Sequence, residues 1–184
     1  MTMSTGTGTE MSLSIQTVTA IEMERRLPAF TELLREVVNG GTSMGFLAPL
    51  GPGDGMDYWL SLRPDLNAGT RLLLAAFLDG RLVGSGQLAL SQWQNARHRA
   101  ELQKLFVATS VRGRGVGRAL MTALHDKARQ HGRSLVVLNT RRVNGAQEFY
   151  EELGYRVAGV VPGWTVGRIG ERYDTVLMYQ ELSL

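Results

Sequence analysis

The chain has 184 residues, enough for one compact α/β domain with a sizeable core and too few for a second domain of ordinary size. Apolar residues make up 43% and charged residues 20%, an ordinary balance for a soluble protein, and the longest apolar run, Leu72 to Leu78, is too short to span a bilayer. The chain has no cysteine, which excludes disulfides, thiolate metal sites and a cysteine nucleophile, and its net charge of +3 is small for a nucleic-acid binder, which shows a broad basic surface.

Residues 1–11, rich in Ser, Thr and Gly, read as a disordered tail, and residues 12–184 as one domain. No basic segment followed by an apolar core opens the chain, so a cytoplasmic location is expected and no membrane partner. Residues 12–18 alternate as a short strand. Met23, Leu27, Phe30, Leu34 and Val37 then recur at helical spacing, with Pro28 kinking that helix or marking its true start and Gly40-Gly41 ending it. A loop rich in glycine follows, and residues 54–68 are predicted as a second short helix.

Residues 71–78 and 81–90 are strand-like and flank Asp79-Gly80, the signature of a type I′ hairpin. Residues 100–107 give a third antiparallel strand. After a glycine-rich turn, Val116, Ala119, Leu120, Ala123 and Leu124 share one face of a helix. A buried strand at 135–139 precedes a short helix carrying Ala146, Phe149, Tyr150 and Leu153, which Gly154 caps. Strands at 155–161 and 174–182 close the order β-α-α-β-β-β-α-β-α-β-β.

The sharpest local signal is Val111-Arg112-Gly113-Arg114-Gly115-Val116-Gly117-Arg118, between a strand and a helix. Glycines let the backbone approach a ligand and turn successive N–H groups inward, while the helix that follows offers free donors and the positive end of its dipole. The basic residues of the chain gather here and at 129–142, which points to a local anionic ligand. A Walker A loop is excluded by the lack of Gly-Lys-Ser/Thr. A dinucleotide turn is excluded because Arg118 or Leu120 falls where its last glycine would stand.

Arg112-x-x-Gly115-x-Gly117 matches the R/Q-x-x-G-x-G/A motif of the GNAT acetyltransferases, and Phe149-Tyr150-Glu151-Glu152-Leu153-Gly154-Tyr155 resembles a later element of that family. The chain looks most like the tabtoxin-resistance type, through Gly40 to Phe46, Arg99 to Leu105, Arg112 to Leu120 and Val161-Pro162-Gly163. The resemblance implies a mixed, mostly antiparallel sheet of about seven strands with four helices, open in a V between strands 4 and 5. It implies acetyl-CoA as co-substrate, with the amides of Gly113, Arg114, Gly115, Val116, Gly117 and Arg118 on the pyrophosphate. Arg112, Asn139 and Asn144 join that cofactor-binding set, and the main chain of Leu105, Phe106 and Val107 would carry the pantetheine arm.

The same resemblance implies direct attack on the thioester by an acceptor amine. An alkyl amine with a pKa near ~10 is neutral in about one molecule per thousand at pH 7, so a base is useful. Glu101, eleven residues before Arg112, stands at the spacing of the general base of the histone-type branch, or is a solvated strand residue. Tyr150 matches the tyrosine that protonates the departing thiolate, and equally reads as a core aromatic. Two departures stand out: Val143 replaces an asparagine common in the family, and Asn139 replaces an acidic residue of the tabtoxin-resistance type. Arg141 and Arg142 are assigned to the CoA 3′-phosphate, an acidic acceptor or solvent; His98, His125 and His131 lack metal-ligand spacing and read as surface residues, with no metal expected.

The leading reading is transfer of acetyl from acetyl-CoA to a small-molecule amine, a toxin, antibiotic or amino-acid-like compound, with Trp164 and the 40–55 loop as walls of the acceptor pocket. Transfer to a peptide or protein amine and a CoA-binding module without catalysis are the alternatives, and a homodimer is left open.

Overall fold

The computed structural model describes residues 12–142 and 145–183; the expected tail at 1–11 and Asn144 lie outside the described residues. Strand β1 (Leu13–Val18) leads into α1 (Ala20–Arg25) through a capping box. The Thr19 hydroxyl accepts from the Glu22 N–H at 3.2 Å, and the Glu22 carboxylate accepts from the Thr19 N–H at 2.8 Å, so two orphan donors are satisfied reciprocally.

The first expected helix is broken at Arg26 into α1 and α2 (Leu27–Asn39), and the second at Leu62 into α3 (Pro52–Ser61) and α4 (Arg63–Asn67). The reason is the same in both places. Pro28 and Pro64 lack the N–H a helix interior needs and are tolerated in a first turn, so each starts a new helix. With α5 (Val116–Gln130) and α6 (Ala146–Glu152), the four expected helices become six among the described residues.

Strands β2 (Arg71–Leu78) and β3 (Arg81–Leu90) form the expected hairpin, with positive φ at both turn residues, 50° at Asp79 and 78° at Gly80. β4 (Arg99–Val107), β5 (Leu135–Arg141), β6 (Arg156–Val166) and β7 (Arg172–Glu181) complete a seven-stranded sheet of order β1-β2-β3-β4-β5-β7-β6. β4 and β5 are parallel and the other neighbours antiparallel.

The β4–β5 pairing lasts only three rungs, from Arg99↔Leu135 to Glu101↔Val137. Beyond Glu101 the two strands part, so the sheet opens between its fourth and fifth strands as expected. The edge of β4 facing β5, from Leu102 onward, then has no strand partner among the described residues, and its backbone groups are available to a ligand.

Helices cover both faces of the sheet. On one, Trp59 of α3 is wholly buried against Phe30 of α2 at 4.8 Å between ring centroids and Phe106 of β4 at 6.4 Å. α2 and α3 approach closely because Gly55 has no Cβ; one would come within 3.1 Å of the Thr31 methyl. On the other face α5 lays Leu120 and Leu124 over Gly84 and Gly86 of β3, where an added Cβ would meet them at 3.1 and 2.8 Å. These glycines let the helix settle onto the sheet.

Candidate active site

Two groups of residues flank the opening. The first is the loop from Thr109 to Arg118. β4 ends at Val107, a short 3-10 turn (Thr109–Val111) follows, and α5 begins at Val116 with Gly115 as its N-cap. Gly113 and Gly115 have φ of 74° and 80°, the left-handed region where a side chain is strained. An added Cβ at either would meet nothing within 4 Å among the described residues, which leave the space beside the loop open. No side chain caps the first turn of α5, whose first intrahelical bond runs from the Ala119 N–H to the Gly115 carbonyl. The N–H groups of Val116, Gly117 and Arg118 therefore point outward at the positive end of a helix of 15 residues.

The arginines of the loop are held from different sides. Arg112 donates to the Thr42 hydroxyl at 3.3 Å, tying the loop to the segment after α2, and Arg118 pairs with Glu152 of α6 at 3.1 Å. Gly117 lies so close to α6 that a Cβ would be 3.4 Å from the Phe149 ring and 3.9 Å from Val107. The loop, β4 and α6 thus form one packed unit. Leu105 and Val107 are half-buried and Phe106 is buried, all on the strand whose edge opens past Glu101.

Tyr150 of α6 makes edge-on ring contacts with Phe149 at 5.3 Å and Tyr155 at 5.6 Å, and burial pushes its hydroxyl pKa up from the ordinary phenol value. It is neutral at physiological pH, and its hydroxyl has no hydrogen-bond partner among the described residues. Tyr155 is fully buried, with its hydroxyl 2.9 Å from His125 Nε2. This corrects the surface reading of His125, which lies on the apolar stripe of α5 with Met121, Leu124 and Ala128. Burial first, then the positive charge of Arg129, lowers its pKa against the opposing pull of Asp126. His98 and His131 are exposed as expected.

The second group lies on the face covered by α3. Glu101 stands half-buried on the last β4–β5 rung, opposite Ala89 of β3. Past it, β4 carries a bulge: Gln103 pairs with Gln87 and Phe106 with Ser85, so Lys104 and Leu105 together oppose Gly86. Lys104 adopts φ of 50°, uncommon for a residue with a side chain. The bulge turns Gln103 and Lys104, consecutive residues, to the same side.

There they meet a polar network that joins α3, α4, β2, β3 and β4. One Arg71 nitrogen donates to the amide oxygens of Gln87 at 3.0 Å and Gln103 at 2.7 Å, and its Nε faces Asp65 at 3.3 Å. Gln87, wholly buried, donates to the Tyr58 hydroxyl at 2.8 Å. Burial pushes the Tyr58 pKa up to about 12, although the Gln87 bond pulls the other way. Lys104 Nζ donates to the Met44 carbonyl at 2.6 Å and lies over the rings of Phe46 and Tyr58, 5.3 and 5.6 Å from their centroids. Burial and the nearby Arg71 charge lower its pKa, and Glu101 raises it.

Of this network sequence reasoning singled out Glu101 alone. Gln103-Lys104, two polar residues between Leu102 and Leu105, interrupt the alternation of a strand, and that was the available sign of a bulge. Asn139 is exposed on β5 beyond the last β4–β5 rung, opposite Leu177 of β7. Arg141 is no simple solvent-facing residue: its guanidinium stacks 3.9 Å from the centre of the Tyr173 ring. Arg142 is exposed. Trp164 is 53% exposed, so it does not close a pocket, whereas the Met44–Phe46 side of its expected partner loop folds onto Lys104.

The fold as a whole recurs in solved structures. yncA of Salmonella typhimurium, solved with its cofactor acetyl-CoA, superposes with a TM-score of 0.74 at 20% identity, covering 93% of this chain and 94% of that one. A ribosomal-protein-alanine N-acetyltransferase from Brucella melitensis gives 0.75 at 22% identity, over 92% and 99%. Among sequence relatives, streptothricin acetyltransferase of Streptomyces lavendulae is 32% identical over 51% of this chain and 49% of its own. The N-acetylaspartate synthetase of Homo sapiens is 32% identical over 59% and 37%. The chain thus spans half or less of the length of these sequence relatives. The description of the acetyltransferase (GNAT) family matches residues 46–155, from the loop that wraps Lys104 through the glycine turn to Tyr155. By this match and the fold that accompanies it, the chain belongs to the acetyltransferase (GNAT) family.

Proposed function

We propose that this protein transfers the acetyl group of acetyl-CoA to a primary amine of a small molecule in the cytoplasm. The observation that carries the reading is the start of α5, where Gly113 and Gly115 hold left-handed backbone and no side chain occupies the first-turn amides. Those residues suit a pyrophosphate: converging N–H donors, a positive dipole end and open space where a side chain would stand. Arg112, Arg114 and Arg118 add charge, and the open edge of β4 at Leu105 to Val107 offers main-chain groups to the pantetheine arm. Asn139, on β5 beyond its last rung with β4, joins this set in the proposed reading.

Acetyl-CoA supplies the activated acyl group as a thioester. The amine nitrogen bonds to the thioester carbon and the carbon–sulfur bond breaks, leaving an amide and CoA. Glu101, at the point where β4 and β5 part, takes the proton the amine must lose, through water. Tyr150 is held protonated by burial and gives its proton to the CoA thiolate, then regains one from solvent. Amine attack needs no covalent acyl-enzyme, in keeping with a chain without cysteine.

The small-acceptor reading rests on the covered polar network under α3, and streptothricin acetyltransferase among the relatives supports it. The exposure of Trp164 favours the competing reading, transfer to a peptide terminus. Screening small amines and short peptides with a free-thiol readout of CoA release separates the two. Turnover with small amines supports the proposal, and turnover with peptides alone overturns it. A homodimer would use the outer edge of β6, which has no strand partner among the described residues, and light scattering reports it.

A further inference from the structure

Lys104 has an unusual position for a lysine. The β4 bulge, with φ of 50° at Lys104 itself, turns its side chain inward beside Gln103 instead of to the opposite face. Its ammonium is wrapped by the segment after α2, with the Met44 carbonyl at 2.6 Å, and a Cβ at Gly45 would stand 3.1 Å from Nζ. An ammonium has three donors, and among the described residues one is used.

The neighbours are rich in donors too. The Tyr58 hydroxyl accepts from Gln87, while its own proton meets no acceptor among the described residues. The Gln103 amide oxygen accepts from Arg71, and its NH₂ group likewise donates to nothing among them. Arg71 uses Nε and one terminal nitrogen on Asp65, Gln87 and Gln103, whereas Lys104 has two of its three donors to spare among the described residues. Glu101, the remaining carboxylate near Lys104, makes no ion pair with it. Half-buried donors with no acceptor in the protein are suited to a ligand that supplies one.

Resting on the small-acceptor reading above, we propose that Lys104, Tyr58 and Gln103 form a subsite for a carboxylate of the acceptor, making the substrate class an amino acid rather than a simple amine. The carboxylate accepts from Lys104 Nζ, the Tyr58 hydroxyl and the Gln103 amide, while the amine of the same molecule lies towards Glu101. A singly charged group fits one spare cation with neutral donors beside it. Two carboxylates would crowd Glu101.

The test uses the full chain, acetyl-CoA and a panel of α-amino acids, each with its α-carboxamide and its decarboxylated amine, read by release of CoA thiol. For acids that are turned over, the carboxamide and the amine are expected to show kcat/KM lowered at least about tenfold, mainly through KM. Lys104→Met is expected to raise KM for the acid by a similar factor while changing KM for the carboxamide less than about threefold. Tyr58→Phe, which keeps the ring under α3 and so the packing, should raise KM for the acid alone. It carries the test should Lys104→Met fail to fold. Equal use of acids and carboxamides by the wild type overturns the subsite and leaves the small-acceptor reading standing. So does a loss in Lys104→Met or Tyr58→Phe that is the same for both. Turnover of peptides with none of the panel overturns both.

Discussion

The two sides of the split sheet are built from different materials. The glycine turn before α5 is one run of consecutive residues and presents backbone N–H groups. The region under α3 is assembled from side chains of five separate elements and presents an ammonium, a phenol and amides around Lys104. A site made of backbone is defended by excluding side chains, and a site made of side chains by burying them in defined rotamers. A backbone site of this kind tolerates change in the side chains around it, whereas a side-chain site changes with single substitutions.

The contrast breaks most sharply at Gly115. Gly115→Asp meets no steric barrier, since nothing lies within 4 Å of the new Cβ, but it sets a negative charge at the helix start and strains a φ of 80°. Acetyl-CoA at 100 times its Kd should stabilise the wild-type chain by about 2.7 kcal/mol. Thermal melting of Gly115→Asp should show most of that gain gone, with acceptor-side geometry unchanged.

Next in size are the two groups proposed to react, Glu101 and Tyr150. Glu101→Gln and Tyr150→Phe should each cost between roughly 10-fold and 10⁴-fold in kcat, with acetyl-CoA affinity nearly intact. A pH series distinguishes them. The Glu101→Gln deficit should shrink at high pH, where solvent has already deprotonated the amine, and the Tyr150→Phe deficit should persist. Equal pH profiles for the two variants would assign both residues to packing.

How far each side can be read in advance follows from this difference in material. The turn at 113–118 was legible because its conformation is a property of neighbouring residues, glycines at fixed spacing before an amphipathic helix. The hairpin at Asp79-Gly80 and the order of strands were legible for the same reason. The parting of β4 from β5 came from family resemblance, since no local pattern encodes where two strands stop pairing. Pro28 was read as a kink or a helix start and the structure places a break beside it, whereas the break beside Pro64, inside the second expected helix, was missed. Arg71, Gln87 and Tyr58 were not legible. They lie up to 29 residues apart along the chain for a single hydrogen bond, and nothing local marks a glutamine as the one that is wholly buried. His125 was missed because histidine is usually exposed, although its place between Leu124 and Ala128 marked the buried face.

A smaller effect concerns that histidine. The ordinary imidazole pKa is about 6.5, and burial lowers it in the folded chain. Below about pH 7 the unfolded chain takes up a proton that the folded chain refuses, so stability should fall with pH until the lowered folded value is passed. Melting temperatures across this range should show the decline, and His125→Gln should flatten it while losing the bond to Tyr155. The smallest effect is expected at Trp164. Its exposure fits at most a lip of the proposed acceptor site, so Trp164→Ala should change the acceptor KM by no more than about fivefold and leave that of acetyl-CoA alone. An equal change in both would extend the side-chain region to the co-substrate and blur the division.

The division itself is tested most directly by titrating acetyl-CoA into the wild-type protein, Gly115→Asp and Lys104→Met in a calorimeter. The account predicts one site of low- to mid-micromolar Kd in the wild type, a Kd within about threefold of it in Lys104→Met, and no measurable heat in Gly115→Asp. Absence of binding by folded wild-type protein, or wild-type affinity in Gly115→Asp, would contradict it.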